Sequence, residues 1–184
     1  MTRYIFASLL KKHYYYHGMR LILTLFVILF SVTSGYSQAY RYQSIFIFSF
    51  TRYIQWPEGY NQGDFEILVL GDAPILEELT GMAQTKKVGD RNIKITKISS
   101  PAEIRKCNIV YIPSNKSSQI ETILSKINTQ SILVVTEEPG LGVKGSNINF
   151  IVKDGKWTFE LNQSAMTKQS FRVSNELSRL AIMI

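Results

Sequence analysis

Residues 65–84 read FEILVLGDAPILEELTGMAQ, and this stretch decides the fold. Phe65 to Leu70 is a nearly continuous apolar run of strand length that stops at Gly71-Asp72, the pattern of a strand buried inside a sheet. Beyond the turn, Pro74 opens a helix that runs to about Gln84, with Asp72 as its expected cap. The strand-then-helix alternation continues downstream. Asn92 to Ile98 reads as a strand by its period of two, Pro101 opens a short helical turn, and Asn108 to Ile112 is again a strand. Lys116 to Asn128 is a helix with Ile120, Ile123, Leu124 and Ile127 on the face that covers the sheet, and Ser131 to Thr136 (SILVVT) is another core strand. Strands separated by helices imply parallel neighbours joined by right-handed crossovers.

After the turn-rich stretch from Glu137 to Ser146, the strands Asn147 to Val152 and Lys156 to Leu161 form a hairpin around Asp154-Gly155, a dipeptide suited to the positive φ angles of a tight turn. This hairpin adds antiparallel strands at one side. A last helix from about Ser174 carries Leu177, Leu180 and Ala181. Upstream, Ala39 to Trp56 is ambiguous. Ile45 to Phe48 is β-prone, yet Tyr42, Ile45, Phe46, Ser49, Phe50 and Tyr53 line one helical face that Pro57 would end, and the helix is the expectation. The fold class is therefore α/β: a single domain over residues 38–184 with a largely parallel central sheet, helical crossovers, and a C-terminal hairpin followed by a helix.

Leu21 to Phe30 (LILTLFVILF) is an uncharged run, shorter than the ~20 residues that cross a bilayer. With Arg20 before it and small residues at Gly35 and Ser37 after it, residues 1–37 read as a secretory signal peptide cleaved before Gln38, with Met19 as an alternative start and an uncleaved anchor as the competing reading. Cleavage removes Arg3, Lys11, Lys12 and Arg20, leaving 17 basic against 14 acidic residues, a net charge of +3 instead of +7. So small a charge, without a basic cluster among aromatics, gives no support for nucleic-acid binding. His13 and His17 leave too, which excludes histidine-based catalysis and histidine-ligated metal from the remaining chain. Cys107 is the only cysteine, so an intramolecular disulfide cannot form. A lone cysteine before an apolar strand is either a small buried hydrophobe or a reactive thiol activated by Arg105 or Lys106.

Gly140 to Gly145 spells G-x-G-x-x-G, but dinucleotide binding requires a helix after the glycines, and the next segment is a strand. No cofactor is expected. The acid pairs Glu77-Glu78 and Glu137-Glu138 read as solvated surface, because adjacent residues point in different directions. Trp56 either caps the core or serves a partner, and Trp157 lies on one face of the hairpin.

Taken in order, Tyr53-Ile54-Gln55-Trp56-Pro57, Phe65 to Gly71, Cys107 to Ile112, Ile132 to Thr136, Gly145 to Phe150, Phe159 to Asn162, and Ser174 with Leu177 and Leu180-Ala181 resemble the YfiR family of small exported bacterial proteins. The resemblance runs from about Tyr42 to Ile182. It implies a non-enzymatic periplasmic regulator, often dimeric, that binds the outward-facing part of a membrane-embedded diguanylate cyclase, with consequences for cyclic-di-GMP signalling and biofilm. A membrane histidine kinase is an alternative partner. The disulfides of some relatives do not transfer to a chain with one cysteine. The expected contact surface comprises Trp56, Pro57 and the loop residues Glu138, Leu141 and Lys144. A second reading is a small-molecule sensor whose cleft lies at the carboxyl ends of the parallel strands, at Gly71, Asp72, Pro113 and Ser114.

Overall fold

The computed structural model describes residues 38–184, so the expected signal peptide lies outside the described residues; residues 40–184 form one compact unit. The ambiguous aromatic segment is a helix, α1, over residues 38–53. Its buried stripe is not the expected one. Gln43, Ile47 and Phe50, followed by Ile54, face inward, while Tyr42 and Ile45 are 55% and 54% exposed. Apolar residues occupy all sides of this helix, so the pattern offers several stripes, and the sheet below selects the one that stacks Phe46 and Phe50 on Phe150 and Phe159.

The chain continues through β1 (Ile54–Gln55), a 3-10 turn at Glu58–Tyr60, β2 (Phe65–Leu70), α2 (Ile75–Thr85), β3 (Lys87–Val88) and β4 (Arg91–Ile98). A turn at Pro101–Glu103, β5 (Ile109–Ile112), a 3-10 segment at Ser114–Gln119, α3 (Ile120–Ile127) and β6 (Leu133–Thr136) follow. The remainder is β7 (Ile148–Lys153), β8 (Lys156–Leu161), α4 (Gln163–Lys168), β9 (Arg172–Val173), α5 (Asn175–Leu180) and β10 (Ile182–Met183).

Eight strands form one sheet in the order β10-β8-β7-β6-β5-β2-β4-β3. Strands β4, β2, β5 and β6 are parallel as expected, and β7 joins them parallel to β6, so only its hairpin partner β8 reverses direction there. The hairpin turns on Asp154 and Gly155 with φ of 52° and 72°, the left-handed pair its sequence demands. Successive side chains of β2 feed opposite faces. Ile67 and Val69 meet Ile47 and Phe50 of α1, Ile75 and Leu79 of α2, and Leu177 of α5; Leu68 and Leu70 meet Ile120, Ile123 and Ile127 of α3. Helical cover on both faces is why these strands carry no polar alternation.

Three expectations are corrected. Asp72 does not cap α2: Pro74 holds the cap position without a side-chain bond, and the Leu76 amide is satisfied by the Ala73 carbonyl. The helix expected over Lys116–Asn128 begins as the 3-10 segment and becomes α-helical only at Ile120. The last helix is a six-residue stub capped by Ser174, whose hydroxyl accepts from the Leu177 amide; it ends before a second apolar turn, so Leu180 is 59% exposed. The short pieces β1, β3, α4, β9 and β10 were not expected from the pattern, because segments of two to six residues carry too little periodicity.

Candidate functional site

Winding reverses between β2 and β5, and the carboxyl ends of those strands hold the residues expected to form a cleft. Protein side chains fill that place. The Lys116 stem lies over Gly71, where an added Cβ would come within 2.8 Å of Lys116 Cε. Asp72 is paired at the surface with Lys97 at 2.7 Å, and that hydrogen bond, with the lysine's charge, holds its carboxyl below the usual range. The Ser114 amide, next to the buried Pro113, donates to Glu137 Oε1 at 3.0 Å.

Glu137, read from sequence as half of a solvated pair, is instead the hub of this end of the sheet. Its Oε2 lies 2.7 Å from the Tyr111 hydroxyl and 3.1 Å from Gln43 Nε2, and that hydroxyl is 2.6 Å from Gln43 Oε1. Tyr111 is fully buried, so α1, β5 and β6 are tied together by polar groups inside the core. Burial, and then the Glu137 carboxylate, push the phenol well above its ordinary value. A tyrosine amid Ile109, Val110 and Ile112 was the one signal in the sequence, since a buried hydroxyl needs a partner.

The other end of the sheet holds a second hub. Asn108, 3% exposed, accepts at Oδ1 from the Glu66 amide and from Arg91, donates from Nδ2 to the Tyr60 carbonyl, and gives its own carbonyl to Trp56 Nε1 at 3.2 Å. Trp56 is therefore core: it is 8% exposed and meets Phe65 and Phe171 edge-on at 5.2 and 5.6 Å. Its edge and Phe171 nevertheless floor a groove of about 670 Å³ walled by Gln55, Pro57, Glu58 and Arg172. Strand β1, paired antiparallel with β9, sets the two walls side by side. Of the residues expected at a contact surface, Pro57 stands in the wall of this groove and Trp56 in its floor.

The loop after β6 divides the same way. Leu141 is 2% exposed and packs in the α3-side core, so it cannot touch a partner; Glu138 is half-buried, and Val143 and Lys144 are exposed. The Ser146 hydroxyl donates to the Leu141 carbonyl at 2.9 Å and also bonds Thr136, pinning the loop. The glycine pattern runs into β7, not a helix, so it builds no dinucleotide cradle. Gly142 answers a packing need instead, because an added Cβ would lie 2.5 Å from Glu160 Oε2, and Glu160 holds the buried Asn149 amide.

Cys107 is 4% exposed and its thiol is pushed up, by burial first and by Glu66 second, with Arg105 opposing. This is the opposite of thiolate activation. Among the described residues no group of three or more His, Cys, Asp or Glu could hold a metal, and no helix is long and apolar enough to cross a membrane. At the turn end of the hairpin, Val152 and its cross-strand partner Trp157 are 56% and 41% exposed. They continue the face on which Phe150 and Phe159 receive α1.

A family model describing YfiR/HmsC-like proteins matches residues 40–182. The chain belongs to the YfiR/HmsC-like family. The match takes in the sheet, both polar hubs and the groove beside Pro57. No curated protein matches the chain. YfiR/HmsC-like proteins are periplasmic regulators that act with a membrane signalling partner, and the fold expected from the resemblance is the one observed.

Proposed function

We propose that this YfiR/HmsC-like protein, freed of its leader near Ser37, is a non-enzymatic periplasmic regulator that binds the outward-facing domain of a membrane diguanylate cyclase. Such a regulator sets cyclic-di-GMP output, and through it biofilm formation, by binding one of the cyclase's two states more tightly than the other. The family match across residues 40–182 carries this reading. The groove between Pro57 and Arg172 supports it as the contact site: it has an aromatic floor and rims of opposite charge at Glu58 and Arg172. An aromatic floor with a polar rim is the anatomy of a protein contact. The exposed Val152 and Trp157 supply a surface for a second copy, in keeping with a homodimer.

The test adds the purified protein to membranes bearing the cognate cyclase and measures cyclic-di-GMP synthesis. Output changes with the parent protein, and the Arg172→Glu variant, altered on an exposed side chain, loses the effect while keeping its melting temperature. Absence of binding together with unchanged output refutes the proposal. The alternative, a small-molecule sensor acting through a membrane histidine kinase, gains no support at Gly71, Asp72, Pro113 and Ser114, where Lys116 and Glu137 occupy the space.

A further inference from the structure

A second cavity, of about 270 Å³, opens between the end of α3, the loop after β6 and α4. Lys144 comes from the loop, Lys168 from α4 and Asn128 from the α3 terminus, while Asn162, Ser164 and Gln169 complete the polar lining. No acid lines it, and among the described residues neither lysine is in an ion pair. Gln169 is 4% exposed, yet its Oε1 has no hydrogen-bond partner among the described residues. Buried amide oxygens are almost always bonded, because an unmet acceptor away from water is costly.

The walls are already committed elsewhere. Asn162 accepts from the Ala165 amide and donates to the Gly142 carbonyl, both at 2.9 Å, and Leu124 lies against Gly145 so closely that an added Cβ would stand 3.0 Å from it. The cavity is thus a held shape whose unspent groups include two cations and one buried acceptor. A cation would be repelled by the lysines, and a purely apolar molecule would leave Gln169 unmet. A nucleotide is too large for a space just under the ~300 Å³ lower bound of ordinary ligand pockets. We propose that this cavity binds a small hydroxylated oxyanion, a phosphate monoester or a hydroxycarboxylate, whose charge lies between Lys144 and Lys168 and whose hydroxyl donates to Gln169. Charge-assisted bonds of this kind give the stronger part of the affinity, and the hydroxyl gives selectivity.

The test is titration of the purified protein with glycerol 3-phosphate and, separately, with malate, each read by calorimetry and melting temperature against sodium chloride at matched ionic strength. A saturable response to either oxyanion supports the site, and the arm that responds identifies the anion class. Substituting the two exposed lysines, K144Q and K168Q, weakens binding about tenfold each without altering the fold. Absence of a saturable response beyond chloride in both arms, or binding by the double variant as tight as the parent's, overturns the proposal. The measurement needs no membrane partner, so its outcome is independent of the cyclase assay.

Discussion

Replacing Tyr111 by phenylalanine removes one oxygen from the centre of the fold and leaves the ring in place. The hydroxyl is buried, 2.7 Å from Glu137 Oε2 and 2.6 Å from Gln43 Oε1. A hydrogen bond to a charged group is worth about 1.5–3 kcal/mol, and no cavity term is added because the ring is retained, so Tyr111→Phe costs about 2 kcal/mol. For a domain of this size that is a fall in melting temperature of about 4–8 °C. The pH dependence gives a sharper signature. Since the folded protein holds the phenol above its ordinary value of 10, the unfolded chain releases this proton first as pH rises. The residue's contribution is complete below pH 10 and is lost above it, towards the folded value. Urea unfolding at pH 8, 9.5 and 10.5 should therefore show the difference between parent and Tyr111→Phe shrinking with pH, while Cys107, common to both, cancels. Hydrogen exchange should also quicken in α1 around Gln43, whose side chain loses an anchor to the sheet. A difference below about 0.5 kcal/mol at pH 8, in the range of an ordinary surface substitution, or one that does not change with pH would refute the argument.

Three further outcomes are expected. Trp56 and Trp157 differ in exposure, so Trp157→Phe should leave emission that acrylamide barely quenches and Trp56→Phe emission that it quenches readily; equal quenching would contradict the packing on Phe65 and Phe171. Cys107 should react with a disulfide reagent at pH 8 only at the rate of unfolding, and fast native labelling would show that the thiol is not held in the core. Gly155→Ala has open space for its Cβ but sits at φ 72°, so it should cost about 1 kcal/mol through backbone conformation alone, checked by the urea midpoint at unchanged m-value.

The parallel sheet was legible because Phe65 to Leu70 and Ile132 to Thr136 are too apolar to face water on either side, and the hairpin because Asp154-Gly155 admits few other turns. The α1 face was not legible. Ile45, Phe46, Ile47 and Phe48 surround the helix with apolar groups, and only the position of Phe150 and Phe159, far along the chain, chooses among them. The polar hubs were harder still. Glu137 looks like its neighbour Glu138 in sequence, and what separates them is the distance to Tyr111 and Ser114, set by the order of strands. For the same reason Trp56 and Leu141 passed as contact residues: whether a bulky group is surface or interior depends on Phe171 and α3 arriving over it. The groove beside Pro57 and the cavity beside Gln169 are both assembled with residues from the stretch after β8, where elements of two to six residues leave no periodic trace.

The two-residue ribbon of β1 and β9 joins Ile54 to Val173, segments made at nearly opposite times during synthesis. A nascent chain emerging amino end first presents the aromatic side of α1 long before Phe150 and Phe159 exist to receive it, and Trp56 long before Phe171. Contacts so distant in sequence form slowly, and exposed apolar surface in the interval invites aggregation. Loss of the chain from Phe150 onward would thus strand the first described helix and not merely the last, and a holding chaperone would find its substrate well upstream of the lesion.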